Sequence, residues 1–161
     1  MELAVLVLED EPEVRDALVR DLEPLADGVR IEPAEDVTDA RAVLDELERA
    51  GDPLAVVLAD HRLPGTSGVD LLVELRDDPI HGRCRKVLVT GQADQDDTIR
   101  AVNQADLDHY VAKPWQADAL RALVRDLLTT YVLDQGIDPL PFLRILDAAR
   151  VMPSLRHRGD R

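Results

Sequence analysis

Aromatic side chains make up only 2% of this 161-residue chain: Tyr110, Trp115, Tyr131 and Phe142. So few rings exclude a stacking platform for single-stranded nucleic acid, and they require an aliphatic core of Leu, Val and Ala. Cysteine is rarer still. Cys84 stands alone, so no intrachain disulfide can form, which fits a reducing cytoplasm. Positive charge is also scarce: 19 Lys and Arg face 33 Asp and Glu, for a formal net charge of −14. Such a surface repels a phosphate backbone, so direct DNA or RNA binding is not expected, and the basic tail Arg156-His157-Arg158 is too small to reverse this. Long apolar runs are missing as well. The opening run Leu3–Leu8 is short and has no basic flank, so it reads as neither a signal peptide nor a membrane span.

What is present is an alternation. Short aliphatic runs at residues 3–9, 29–31, 54–60, 86–90 and 107–112 read as strands. Longer amphipathic stretches between them read as helices. The first starts at Pro12, a residue suited to a first helical position, and carries Val14, Leu18, Leu22 and Leu25. The second covers Val37 to Ala50 and stops at Gly51. The third opens near Ser67-Gly68, the fourth spans Asp94 to Ala105 with an acidic first turn, and the fifth spans Ala117 to Val132. This pattern predicts an α/β fold: a doubly wound, five-stranded parallel sheet with helices on both faces. Residues 1–132 form that domain. Residues 133–161 form an extension, with a short sixth helix over Phe142 to Ala149 and disorder from about Ser154.

The junctions between strands and following helices carry the chemistry. The first strand ends in Glu9-Asp10, the third in Asp60, the fourth in Thr90-Gly91 and the fifth in Lys113-Pro114. In a parallel sheet these positions fall at the carboxyl edge, where open α/β proteins place ligands. Converging carboxylates repel unless something positive sits between them. Three carboxylates suit an octahedral Mg²⁺, which takes oxygen ligands. An exposed carboxylate can then act as a nucleophile and become an acyl phosphate. The metal and Lys113 would stabilise phosphoryl oxygens, and the Thr90 hydroxyl can hydrogen-bond one of them.

With these residues the chain resembles the receiver domains of two-component response regulators, the CheY-like family. The matching positions are Glu9-Asp10, Asp60, Leu63-Pro64-Gly65, Gly68, Thr90-Gly91, Tyr110 and Lys113-Pro114, over about residues 2–132. The resemblance implies a flavodoxin-like fold and a phosphoacceptor at Asp60, supplied by a histidine kinase or a phosphotransfer protein. It implies Mg²⁺ held by Glu9, Asp10, Asp60 and the backbone carbonyl of Arg62, with Lys113 paired to the phosphate. Thr90 and Tyr110 are then the switch residues, and the face of helix four, strand five and helix five is what they reshape for a downstream protein. The chain is expected to be a switch in the cytoplasm and not a turnover enzyme. Two alternatives stand beside this: a degenerate receiver serving as a constitutive binding module, and a phosphohydrolase with an aspartyl nucleophile. The second lacks the usual acid two residues after the nucleophile, where Arg62 stands.

Some positions depart from the commonest family pattern. Glu9 stands where Asp is most usual, while Arg62 and Gln92 occupy positions that tune dephosphorylation in the family. With Trp115 after Lys113-Pro114 and the stretch from Ala101 to Leu107, the chain resembles a receiver subgroup often joined to signalling enzymes. His61 adjoins Asp60, but neighbouring strand residues point to opposite faces, so it is assigned no catalytic role. The residues after the fifth helix are too few for a helix-turn-helix or an output enzyme, so a single-domain regulator is expected. Their apolar positions suit packing on the domain, a homodimer, or docking of a kinase or output protein.

Overall fold

A computed structural model describes residues 1–91 and 95–159. In chain order the elements are β1 (Leu3–Leu8), α1 (Pro12–Leu22), β2 (Val29–Ala34), α2 (Val37–Ala50), β3 (Leu54–Ala59), α3 (Gly68–Arg76), β4 (Arg85–Thr90), α4 (Gln95–Gln104), β5 (His109–Ala112), α5 (Ala117–Asp134) and α6 (Ala148–Gly159). The strands form one parallel sheet in the order β2-β1-β3-β4-β5. This is the doubly wound, flavodoxin-like arrangement that the alternation predicts. Asp94, the expected start of the fourth helix, lies outside the described residues.

Two aliphatic layers cover the sheet. Along β1, Leu3, Val5 and Val7 pack with α1 and α5, while Ala4, Leu6 and Leu8 pack with α2, α3 and α4. All six are buried, which is why the strand reads as a continuous apolar run without polar alternation. The aliphatic core is therefore split by the sheet, and its carboxyl edge is left for polar residues.

Local signals position the helices. Pro12 opens α1. The Asp36 carboxylate caps α2 by accepting from the Asp39 backbone N–H at 2.7 Å. Gly51, at φ 72°, ends α2 in the left-handed conformation that a β-carbon disfavours. The Ser67 hydroxyl caps α3 by accepting from the Asp70 N–H at 3.1 Å. β2 is longer than its apolar core suggests and includes Pro33, which an edge strand tolerates.

The C-terminal segment differs from the sequence expectation. Leu140–Phe142 form a single 3-10 turn, and the helix starts later, at Ala148. It then continues through Ser154 to Gly159, where the sequence reading expects disorder. Tertiary contacts account for this. Phe142, Ile145, Leu146 and Val151 are buried in the layer formed with α1 and α5. The Asp147 N–H donates to the Thr129 hydroxyl at 2.9 Å, and the Arg150 guanidinium donates to the Asp126 carboxylate at 2.6 Å. The apolar positions of the extension thus pack on the domain itself.

Candidate functional site at the carboxyl edge of the sheet

Strand pairing carries the acids to one point. Leu8 pairs with Ala59 at the ends of β1 and β3. The ladder runs one residue further on each strand: the Glu9 N–H donates to the Ala34 carbonyl at 3.0 Å, and the Asp60 N–H donates to the Leu8 carbonyl at 2.9 Å. The backbone of both acids is therefore held by the sheet and not by a loop. On the other side Thr90 pairs with Ala112, and the Lys113 N–H donates to the Thr90 carbonyl at 3.3 Å.

The side chains meet across this edge. The Lys113 ammonium donates to a Glu9 carboxylate oxygen at 2.7 Å and to an Asp60 carboxylate oxygen at 3.2 Å. Asp60 also accepts from the Arg62 N–H at 3.3 Å through its other oxygen. Asp10, Asp60, Arg62, Thr90, Gly91 and Lys113, with Glu11, line a cleft of about 320 Å³. One oxygen from each of Glu9, Asp10 and Asp60 falls within 4.8 Å of the others. A donor set made only of carboxylate oxygens suits a hard divalent cation such as Mg²⁺, and their mutual repulsion favours one.

The acids are not equivalent. Glu9 is 0% exposed and both its oxygens are engaged, one by Lys113 and the other by the Glu11 N–H at 3.2 Å. Asp10 is half-buried and opens on the cleft. Burial pushes the Glu9 carboxyl above the ordinary carboxylate range. The Lys113 hydrogen bond pulls against that shift, and the Asp60 charge adds to it. Burial pulls the Lys113 ammonium down, but the Glu9 hydrogen bond and the Asp60 charge outweigh it, and its pKa is raised. Arg15 supports the same turn by donating to the Glu9 carbonyl at 2.9 Å.

Thr90 is buried at the cleft wall. Tyr110 lies away from the cleft. The residue is 38% exposed, and its hydroxyl donates to the Thr90 carbonyl at 3.2 Å. The Lys113–Pro114 peptide is cis. Gln92 lies outside the described residues. The Cys84 thiol is buried and pushed up to about 11 by that burial, which makes it inert at neutral pH.

Three contacts at this site have no signal in the sequence. His61 Nε2 lies 2.9 Å from an Asp97 carboxylate oxygen, so the residue next to Asp60 reaches the first turn of α4. Arg15 reaches back to the β1 terminus, as described above. The Trp115 indole N–H donates to the Asp21 carboxylate at 2.8 Å. Each joins residues on separate elements, and no spacing pattern anticipates such pairs.

The family model described as the response regulator receiver domain matches residues 5–125. The chain is 31% identical over 156 residues to the hydrogenase transcriptional regulatory protein HoxA of Cupriavidus necator, covering 97% of this chain and 30% of that protein. It is 35% identical over 127 residues to the sensory transduction protein RegX3 of Mycobacterium tuberculosis, covering 78% of this chain and 50% of the relative. The chain therefore spans only part of the curated relatives that it matches. Among solved structures, the signal receiver domain of an HD domain-containing protein from Pseudomonas fluorescens superimposes with a TM-score of 0.73 at 22% identity, covering 84% of this chain and 93% of that one. A CheY-like response regulator receiver domain protein from Methanospirillum hungatei gives a TM-score of 0.71 at 22% identity, covering 83% and 99%.

Proposed function

This chain belongs to the response regulator receiver domain family, and from that premise we propose that it is a phosphorylation switch whose acceptor is Asp60. The observation that carries the reading is the cleft lined by Asp10, Asp60 and Lys113, with Thr90 in its wall and the buried Glu9 carboxylate behind it, joined to Lys113. Glu9, Asp10 and Asp60, with the Arg62 carbonyl, would hold Mg²⁺. Bound there, the ion would offset carboxylate repulsion and screen the charge of an incoming phosphoryl group.

In this reading an Asp60 carboxylate oxygen attacks the phosphorus of a phosphohistidine on a histidine kinase or phosphotransfer protein. The new P–O bond forms as the P–N bond breaks, and the electron pair leaves with the imidazole, which takes up a proton. Lys113 follows the charge from the carboxylate to the phosphoryl oxygens, and the Thr90 hydroxyl donates to one of them. The Tyr110 hydroxyl then loses its hold on the Thr90 carbonyl, and the face of α4, β5 and α5 changes shape for a protein partner. Asp60 is an acceptor and the protein a switch, not an enzyme of sustained turnover. It works in the cytoplasm, where it meets its kinase.

Incubation with Mg²⁺ and a small acyl phosphate, read as intact mass, tests this. The wild type gains one phosphoryl group and Asp60→Asn gains none. Equal labelling of the two would overturn the assignment.

A further inference from the structure

Lys113 must reach two carboxylates at once, yet it stands at the end of the least supported strand of the sheet. β5 is an edge strand, paired only with β4, and its residues are mostly exposed. On the β4 side the Lys113 backbone is held by the Thr90 carbonyl. Among the described residues no strand pairs on the other side. Trp115, two residues further on, packs against the layer of α1 and α5, and its indole N–H donates to Asp21 of α1 at 2.8 Å.

Asp21 is built for this. Its side chain is only 15% exposed, although it carries a charge on the surface of a helix. Its carboxylate accepts from Trp115 and lies 3.5 Å from the Arg20 guanidinium. Its backbone carbonyl accepts from Arg121 of α5 at 3.1 Å. One residue of α1 thus fastens both the turn after Lys113 and the helix that follows it. The indole N–H is a donor only, and a hydrogen bond to an ionised acceptor is among the strong ones.

We propose that Asp21 and Trp115 are positioning residues that hold the Lys113 backbone so that its ammonium spans Glu9 and Asp60. The functional half of this rests on the phosphoacceptor reading above. The positional half does not. Without the clamp the turn keeps its tie to β4 and the packing of the ring but loses its hydrogen bond to α1, and the 2.7 Å and 3.2 Å contacts are not maintained together.

The test uses Asp21→Ala, Asp21→Asn and Trp115→Phe in the full chain. Asparagine keeps an acceptor for the indole, and phenylalanine keeps a ring but lacks the donor. Lys86 and Lys113 are the only lysines, so ¹⁵N-lysine labelling gives two ammonium signals. The Lys113 signal, assigned with Lys113→Met, is expected to be protected from exchange in the wild type and in Asp21→Asn. It is expected to be lost in Asp21→Ala and Trp115→Phe, while the Lys86 signal persists as the report of an intact fold. Phosphorylation at saturating Mg²⁺ is expected to slow about 10-fold in those two variants, since a misplacement near 1 Å costs up to about 10²-fold. Mg²⁺ affinity is expected not to fall, because the acids do not move and the competing ammonium is withdrawn from them.

An unchanged Lys113 signal with an unchanged rate in both variants would overturn the proposal, as would failure of Asp21→Asn to restore the wild-type signal. Absence of labelling in the wild type would overturn the phosphoacceptor reading instead. The lysine signals would then still decide the positioning role.

Discussion

Gly68 lies so close to Asp60 that a β-carbon at residue 68 would stand 1.8 Å from the Asp60 carbonyl oxygen. The obstacle is backbone, so no side-chain rotation relieves it. The first residue of α3 can therefore pack under Asp60 only if it has no side chain. Gly68→Ala is expected to cost about 3 kcal/mol, as forced overpacking does, and to displace Asp60. Denaturant unfolding measures the first effect and Mg²⁺ affinity the second. An alanine variant as stable as wild type, with unaltered Mg²⁺ binding, would contradict the packing described.

Removal of the Lys113 ammonium leaves Glu9 buried without its cation. Lys113→Met is expected to cost about 3–5 kcal/mol at neutral pH in a chelator, because breaking a buried pair strands a charge. Mg²⁺ is expected to return part of this loss by binding the folded state. Unfolding midpoints with and without Mg²⁺ provide the comparison.

The raised Glu9 carboxyl sets a pH dependence for the metal-free protein. A carboxyl whose folded pKa is raised holds its proton more tightly when folded. Its contribution is fully present below its ordinary value of 4.5 and is lost as pH rises through the raised value. Stability in chelator is therefore expected to carry a falling component above pH 4.5, which Glu9→Gln removes. Lys113 acts in the same direction in a separate window. Its contribution is complete below 10.5 and disappears as pH rises through its raised value. Chemical denaturation of wild type and Glu9→Gln across pH measures the difference, and parallel curves would contradict the Glu9 shift.

Asp70 of α3 accepts from Arg100 of α4 at 2.6 Å, and chiefly this bond holds its carboxyl below the ordinary range. The contribution is present above 3.8 and is lost as pH falls through the lowered folded value. Both side chains are well exposed, so Asp70→Asn is expected to cost less than about 1 kcal/mol. Amide exchange in α4 is expected to quicken, because this pair is one of the ties between α4 and α3. A global loss of several kcal/mol would show that the pair does more than that.

Ile145 fills the space beside Gly28, its methyl carbons lying 3.7–3.8 Å from where a β-carbon would be. It is 2% exposed. Ile145→Ala is expected to cost about 2–5 kcal/mol while leaving Mg²⁺ binding intact, since the extension does not line the cleft. Denaturant unfolding with a Mg²⁺ titration checks both parts.

The polar carboxyl edge of the sheet was legible because each strand announces its own end. An apolar run that stops at an acid, a threonine or a lysine reports both the strand and the residue carried at its tip. Glu9, Asp60, Thr90 and Lys113 are all of this kind, and the structure brings the last three to one cleft with Glu9 buried behind it, bonded to Lys113. The C-terminal segment was not legible in the same way. Its apolar residues suit several partners, and only the folded chain shows Phe142, Ile145, Leu146 and Val151 buried in the layer with α1 and α5. Pro153 and the basic residues after it argue locally against a helix, yet α6 continues past them. Buried Val151 and partly buried Leu155, four residues apart, anchor it on the domain.

Sequence alone determined the parallel α/β architecture, because two-sided burial leaves a periodicity that a linear pattern records. It likewise determined which residue types stand at the carboxyl edge. Tertiary structure decided how those groups share charge: Glu9 is buried and raised, Asp10 is open to the cleft, and Lys113 spans two acids. It also decided the ties from Trp115 to Asp21 and from His61 to Asp97, and the place of the extension. The physical reason is that desolvation and hydrogen bonding depend on neighbours distant in the chain, and packing creates those neighbours.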